Sequence, residues 1–131
     1  GNRNYFLRNV HISHDCELGN DITIAHNVVF GGNVLVQDGA TIGISSVVHQ
    51  GSIIGAYSMI GMNSTVTKDI LPFSLVSGTP VRFMRWNSHQ LQNLGMGATP
   101  SGNLFEQFSL QFNSRSKREI LHIPDDVVLS K

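Results

Sequence analysis

Four histidines, His11, His14, His26 and His49, and the adjacent Gln50 stand out in a chain with few charged residues. An imidazole can take a proton from a hydroxyl near neutral pH. A backbone N–H held close by can stabilise the oxyanion that forms when that hydroxyl attacks a carbonyl. His14, Gly32 and Gln50 lie 18 residues apart, with His11 and His49 beside the first and the last. A base, a glycine backbone and an amide side chain at that spacing suit acyl transfer if the fold repeats every 18 residues. A solvated polar face would carry the same residue types without any chemistry. The elements that position these residues decide between the two.

Those elements follow from a six-residue period. Every sixth residue from Phe6 is large and apolar: Phe6, Ile12, Leu18, Ile24, Phe30, Val36, Ile42, Val48, Ile54, Ile60 and Val66. In a chain that is 40% apolar, chance gives eleven in a row about 4 times in 100,000. Two residues before each from Ile12 onward stands an apolar or small residue, from Val10 and Cys16 through Ala40 to Ser46, Ser52, Ser58 and Ser64. Turn formers recur three residues after it: Asp15, Asp21, Asn27, Asn33, Gly39, Ser45, Gly51, Asn63 and Asp69. Six is neither a helical period nor a strand alternation. It describes a short strand, a bend and another short strand. Three such faces close a triangular coil of 18 residues, and successive coils pair in parallel about 4.8 Å apart. The large residue fills the prism, while Asn, Asp and Gly accept the left-handed backbone of the corners. The chain is therefore expected to be all-β, a parallel β-helix of about four coils over residues 4–71. His14, Gly32 and Gln50 then stack as one column.

Residues 70–81 hold two prolines and are expected to form an exit loop, because proline cannot donate to a ladder. Residues 81–94 are expected to form a helix, stopped by Gly95 and Gly97. Residues 95–103 read as a loop, and residues 105–112 suit a strand or, in preference, a short helix. This divides the chain into a coil domain, residues 1–80, and a partly helical cap, residues 81–131, that covers the open end of the solenoid. Residues 10–72 carry a net charge of −4 and the remainder +4. Arg82 and Arg85, just past the last coil, either belong to a solvated tail or meet a phosphate-bearing substrate.

Composition removes other classes. The chain has 131 residues, equal numbers of acids and bases, and 14% charged residues. That is neither a disordered tail nor a basic nucleic-acid binder. No apolar run is long enough for a membrane span and no signal-peptide pattern is present, so a cytoplasmic location is expected. One cysteine, Cys16, allows no intrachain disulfide and no thiolate zinc site.

Specific strings narrow the reading further. Val10-His-Ile-Ser-His-Asp-Cys16, Val47-Val-His-Gln50, Val66-Thr-Lys-Asp-Ile-Leu-Pro72 and Gly78-Thr-Pro-Val81 occur in that order. Set within the hexapeptide repeat, they resemble the UDP-N-acetylglucosamine O-acyltransferases of lipid A biosynthesis over roughly residues 9–95. The resemblance implies a left-handed coil, against the usual crossover rule. It implies that His14 is the general base, that Asp15 orients it, and that the Gly32 N–H binds the oxyanion. It implies that His11, His49, Gln50 and Asn87 contact acceptor or acyl group, with Asn87 matching a nucleotide contact. The acceptor would be a hydroxyl or amine of a sugar or nucleotide sugar, and the donor a thioester on acyl carrier protein, or alternatively coenzyme A. No permanent cofactor or metal is implied, and the site would lie between subunits of a homotrimer. The zinc-binding hexapeptide proteins of the γ-carbonic-anhydrase type use a His-x4-His pair, whereas the histidine gaps here are 3, 12 and 23.

The departures from the family pattern are also specific. The histidine after the oxyanion glycine is Asn33, and a basic pair is replaced by Asn93 and Leu94. Met62 replaces a smaller residue of the acyl groove and Ile44 stacks one coil away, which implies a shorter acyl chain. The family has several coils before its catalytic one, so entry in register at Phe6 implies a shortened or minimal relative. An acetyl-coenzyme A-dependent sugar acetyltransferase and a non-catalytic binding or scaffold solenoid are the alternative functions.

Overall fold

A computed structural model describes residues 1–102 and Glu106 of the chain. It is a left-handed parallel β-helix of about four turns with little helix. Eleven two-residue strands, β1 (Tyr5–Phe6) to β11 (Thr65–Val66), follow one another at six-residue intervals. β1, β4 (Thr23–Ile24), β7 (Thr41–Ile42) and β10 (Met59–Ile60) stack on one face. β2 (His11–Ile12), β5 (Val29–Phe30), β8 (Val47–Val48) and β11 form the second, and β3 (Glu17–Leu18), β6 (Leu35–Val36) and β9 (Ile53–Ile54) the third. The pairing register is the predicted 18: His11 faces Val29, and Val29 faces Val47.

The period-six residues fill the prism. Ile24, Phe30, Val36, Ile42, Ile54 and Val66 are fully buried, and Ile22, Val28, Val34 and Ala40 close the gaps between them. Burial of this apolar column is the main favourable term, at about 25 cal/mol per Å² removed from water. Buried serines at the corners satisfy themselves locally: Ser58 Oγ donates to Gly55 O at 2.7 Å and Ser64 Oγ to Gly61 O at 2.6 Å. The expected turn formers sit at positive φ, from Asp15 at 58° to Asn63 at 55°. Tyr57 and Phe73 also take that conformation, at 54° and 63°, which their residue types did not suggest. Their rings stack with centroids 5.7 Å apart. Gly39, at φ 75°, leaves room for the Tyr57 ring lying against it.

The end of the coil differs from expectation in three ways. Asp69 is not at positive φ, because the last coil is shortened: Ile54 bridges Ile70 and Ile60 pairs with Val76, sixteen residues on rather than eighteen. Residues 70–81 are not simply an exit loop, since β12 (Ser74–Ser77) adds a further parallel rung to β10. Pro72 is tolerated because it follows the rung at a corner, where the ladder uses no N–H. Residues 81–94 are not one helix. Residues 82–86 form β13 (Arg82–Trp86), antiparallel to β12, and only α1 (Ser88–Asn93) is helical. The β-branched and aromatic content of the strand segment fits an edge strand better than a helix. Leu91 of α1 is fully buried with Ala56, Tyr57 and Phe73, so the helix closes one edge of the last turns. The short helix expected at 105–112 and the rest of the tail lie outside the described residues.

Candidate active site

The corner between the second and third faces carries the predicted column. His14, Gly32 and Gln50 each stand two residues past an inward-pointing core residue, on successive coils, and Lys68 continues the series. A Cβ built on Gly32 would lie 2.5 Å from His14 Cε1 and 2.7 Å from Nε2. Any side chain there would push the ring away, so the imidazole rests directly on the Gly32 backbone. Gly31 is held from the other side: its Cβ would lie 2.8 Å from the Gln50 backbone N. The two glycines thus let the His14 and Gln50 corners close on either side of one bare stretch of main chain.

The hydrogen bonds of that stretch leave one group over. Gly31 N–H donates to Val48 O at 2.9 Å, and Gly31 O accepts from the Cys16 thiol at 3.3 Å. Gly32 O accepts from Gly51 N–H at 2.9 Å, and Asn33 N–H donates to His14 O at 3.0 Å. None of the ladder bonds uses the Gly32 N–H. The reason lies in the fold, because the first corner residue of each bend has its N–H outside the ladder. On the corner between the third and first faces a side chain takes it up: Asn2 N–H donates to Asn20 Oδ1, Asn20 N–H to Asp38 Oδ1, and Ala56 N–H to Gln37 Oε1. Along the His14–Gly32–Gln50 corner no such cap is formed among the described residues, and at Gly32 the uncapped donor lies beside an imidazole.

His14 itself is exposed, and its Nδ1 lies 3.2 Å from Asp15 Oδ2. With the proton on Nδ1 shared to that carboxylate, Nε2 keeps its lone pair for a substrate proton. Beside this column, on the second face, an open groove of about 390 Å³ is lined by His11, Val29, Val47, His49 and Gln50. Its floor is apolar and exposed, Val29 at 41% and Val47 at 46%, and its rim is imidazole and amide. Ser13 lines its end, and Ser13 Oγ donates to Phe30 O at 2.6 Å. Ser13 was not singled out from the sequence; its place beside His14 in the corner is the signal that could have found it.

The remaining predicted residues lie elsewhere on the same chain. Met62 is 66% exposed on the corner between the first and second faces, one coil from Ile44 at 43%. Arg82 and Arg85 are exposed on β13. Asn87 is on the third corner, where it caps α1: its Oδ1 accepts from Gln90 N–H at 3.3 Å and its Nδ2 donates to Tyr57 O at 2.9 Å. Asn93 ends α1, and Leu94 packs against the aromatic cluster. The Tyr57 hydroxyl, by burial and by the nearby Asp21 and Asp38 carboxylates, is pushed up to about 12. Among the described residues, no three His, Cys, Asp or Glu side chains converge as a metal site would need, and no helix is long and apolar enough to cross a membrane.

No family model matches the chain. An acyl-[acyl-carrier-protein]–UDP-N-acetylglucosamine O-acyltransferase of Alkalilimnicola ehrlichii is 40% identical over 114 residues, 87% of this chain and 44% of that protein. One of Synechocystis is 33% identical over 114 residues, covering 87% of this chain and 41% of that one. The solved structure of LpxA from Acinetobacter baumannii superposes with a TM-score of 0.71 at 33% identity, over 86% of this chain and 43% of that one. By sequence and by fold, the chain is a relative of the UDP-N-acetylglucosamine O-acyltransferases. It spans less than half the length of these acyltransferases.

Proposed function

We propose that the chain is an acyltransferase that moves an acyl group from a carrier-protein thioester to a hydroxyl of a sugar or nucleotide sugar. One observation carries the reading: the His14 imidazole rests on Gly32, whose N–H the coil leaves unused. Nε2 of His14 accepts the proton of the acceptor hydroxyl while Asp15 steadies Nδ1. The freed oxygen attacks the thioester carbonyl, and the Gly32 N–H stabilises the resulting oxyanion. Collapse of that intermediate breaks the C–S bond, and His14 returns the proton to the departing thiolate. The ester and the carrier thiol are the products.

The donor class is supported by the names of the relatives, which are acyl-carrier-protein-dependent. The groove on the second face suits a mixed ligand, with Val29 and Val47 against the acyl group and His11, His49 and Gln50 against the acceptor. Met62 and Ile44 fill the neighbouring corner and favour a shorter chain. Met62 and His14 are on different corners of one prism, so the reading includes a threefold assembly in which a second copy brings them together. Arg82 and Arg85 supply the positive charge for an acceptor phosphate that Asn93 and Leu94 cannot. Residues 1–80 carry the chemistry, and residues 81–131 form the closing unit.

The test offers the chain acyl carrier proteins loaded with chains of graded length, and acyl-coenzyme A in parallel, with UDP-N-acetylglucosamine as acceptor. Thiol release and acylated sugar nucleotide, read by mass spectrometry, are expected with the carrier-protein donor. Transfer from coenzyme A alone would move the chain to the sugar acetyltransferases. No transfer from either donor would leave a binding or scaffold solenoid.

A further inference from the structure

We infer that Cys16 is a positioning residue for this reaction: its thiol holds the Gly31–Gly32 peptide so that the Gly32 N–H stays turned toward the oxyanion. The inference rests on the acyl-transfer reading above. The carbonyl of Gly31 and the N–H of Gly32 belong to one planar, trans peptide unit and point to opposite sides of it. Cys16 Sγ lies 3.3 Å from Gly31 O. A donor that fixes the carbonyl end of the plane therefore fixes the amide end as well.

This peptide needs such a hold more than others in the coil. It joins two glycines, the residues whose backbone rotates with least steric hindrance. The neighbouring groups are bound on both sides, Gly31 N–H by Val48 O and Gly32 O by Gly51 N–H. For the unit between them, the thiol is the contact on its carbonyl. Ser13 holds the preceding carbonyl, Phe30 O, at 2.6 Å. The two residues that bracket His14 and Asp15 in the chain thus turn inward and hold two successive carbonyls of the facing strand end. The base and the oxyanion donor are set against each other by a single four-residue corner.

The geometry is one the coil can build with a hydroxyl. Ser46 Oγ donates to Gly61 O at 3.0 Å with the same 15-residue offset as Cys16 to Gly31. A serine at position 16 can therefore reach the carbonyl. The thiol also packs with the apolar core of the first coils. A thiol is a weak donor. A bond at the carbonyl also polarises the N–H at the far end of the same peptide, strengthening it toward an anion.

Cys16 is the single cysteine of the chain, so the S–H stretching band in the infrared belongs to it alone. The band is expected below the frequency of a free thiol in water, and a band at the free-thiol frequency would overturn the inference whatever the activity. Turnover with the carrier-protein donor gives the second readout. Losing an oxyanion donor outright costs about 100- to 1,000-fold, so freeing the peptide that carries it should cost a fraction of that, about 3- to 10-fold in kcat. Cys16→Ala is expected to show that loss with little change in KM for either substrate, and Cys16→Ser to restore kcat. Equal loss in both variants, tracking a fall in thermal stability, would make Cys16 a packing residue only. Unchanged kcat in Cys16→Ala would also overturn the role. His14→Ala separates the two claims: if it loses turnover while Cys16→Ala does not, the acyl-transfer reading stands and the positioning role falls.

Discussion

Gly32→Ala is the most informative single change, because its effect can be worked from the contacts. The backbone at Gly32 is not at positive φ, so an alanine is tolerated by the main chain. The new methyl would lie 2.5 Å from His14 Cε1 and 2.7 Å from Nε2. Ordinary carbon contacts begin near 3.5 Å, so the ring must retreat by about 1 Å. His14 is 75% exposed at its side chain and can swing into solvent, so the clash is relieved at little cost to folding. Replacing glycine at a compatible backbone also stabilises by roughly 0.4–1 kcal/mol through the unfolded chain. The melting temperature should therefore change by only a few degrees. Catalysis should not be spared. A misplacement of about 1 Å between reacting groups can cost 100-fold, or about 2.7 kcal/mol of barrier. The assay is steady-state thiol release from the acylated carrier protein, in the parent background and in His14→Ala. A loss of about 100-fold in kcat is expected in the first and almost none in the second, since the methyl acts through the ring. Turnover near the parental rate, or an equal loss in both backgrounds, would refute the stacking argument.

Three further outcomes are expected. Met62→Gly should shift the preferred acyl chain toward greater length in a competition between chain lengths, and an unchanged preference would remove Met62 from the groove. Tyr57 is held neutral by burial and by Asp21 and Asp38, with its hydroxyl raised from 10 to about 12. Its stabilising contribution is then complete below pH 10 and falls as pH rises through that interval, so alkaline unfolding should be shallower in Tyr57→Phe. Asn87→Ala removes the cap of α1 and the bond to Tyr57 O, and should cost about 1–2 kcal/mol in denaturant unfolding. A pure nucleotide contact at Asn87 would instead raise KM for the acceptor and leave stability unchanged.

The coil and the His14–Gly32–Gln50 column are legible in the sequence because both depend on periodicity. The large residues from Phe6 to Val66 set the rungs, and the 18-residue spacing puts His14, Gly32 and Gln50 on one corner. Asp15 and Asn33 marked the corners because their residue types tolerate a left-handed backbone. What escaped depends on contacts that spacing does not encode. Tyr57 and Phe73 adopt the same backbone because their stacking against Leu91 outweighs the steric cost. The loss of two residues near Asp69 shifted the last coil, and Pro72 concealed the rung that follows it. Arg82–Trp86 read as helix because it lies beside a true one, but β12 offered an edge to pair with. Ser13 and Cys16 showed nothing of their role, which becomes visible only when the carbonyls of Phe30 and Gly31 lie opposite.

The central claim is that His14 is the base of an acyl transfer carried out on this corner. Its most direct measurement is kcat of His14→Ala with the carrier-protein donor, beside the parent, with folding and assembly followed by circular dichroism and sedimentation. Turnover should fall by about 100-fold or more, as expected for loss of a general base, while the coil and its assembly stay intact. Parental turnover in a folded His14→Ala variant would contradict the account.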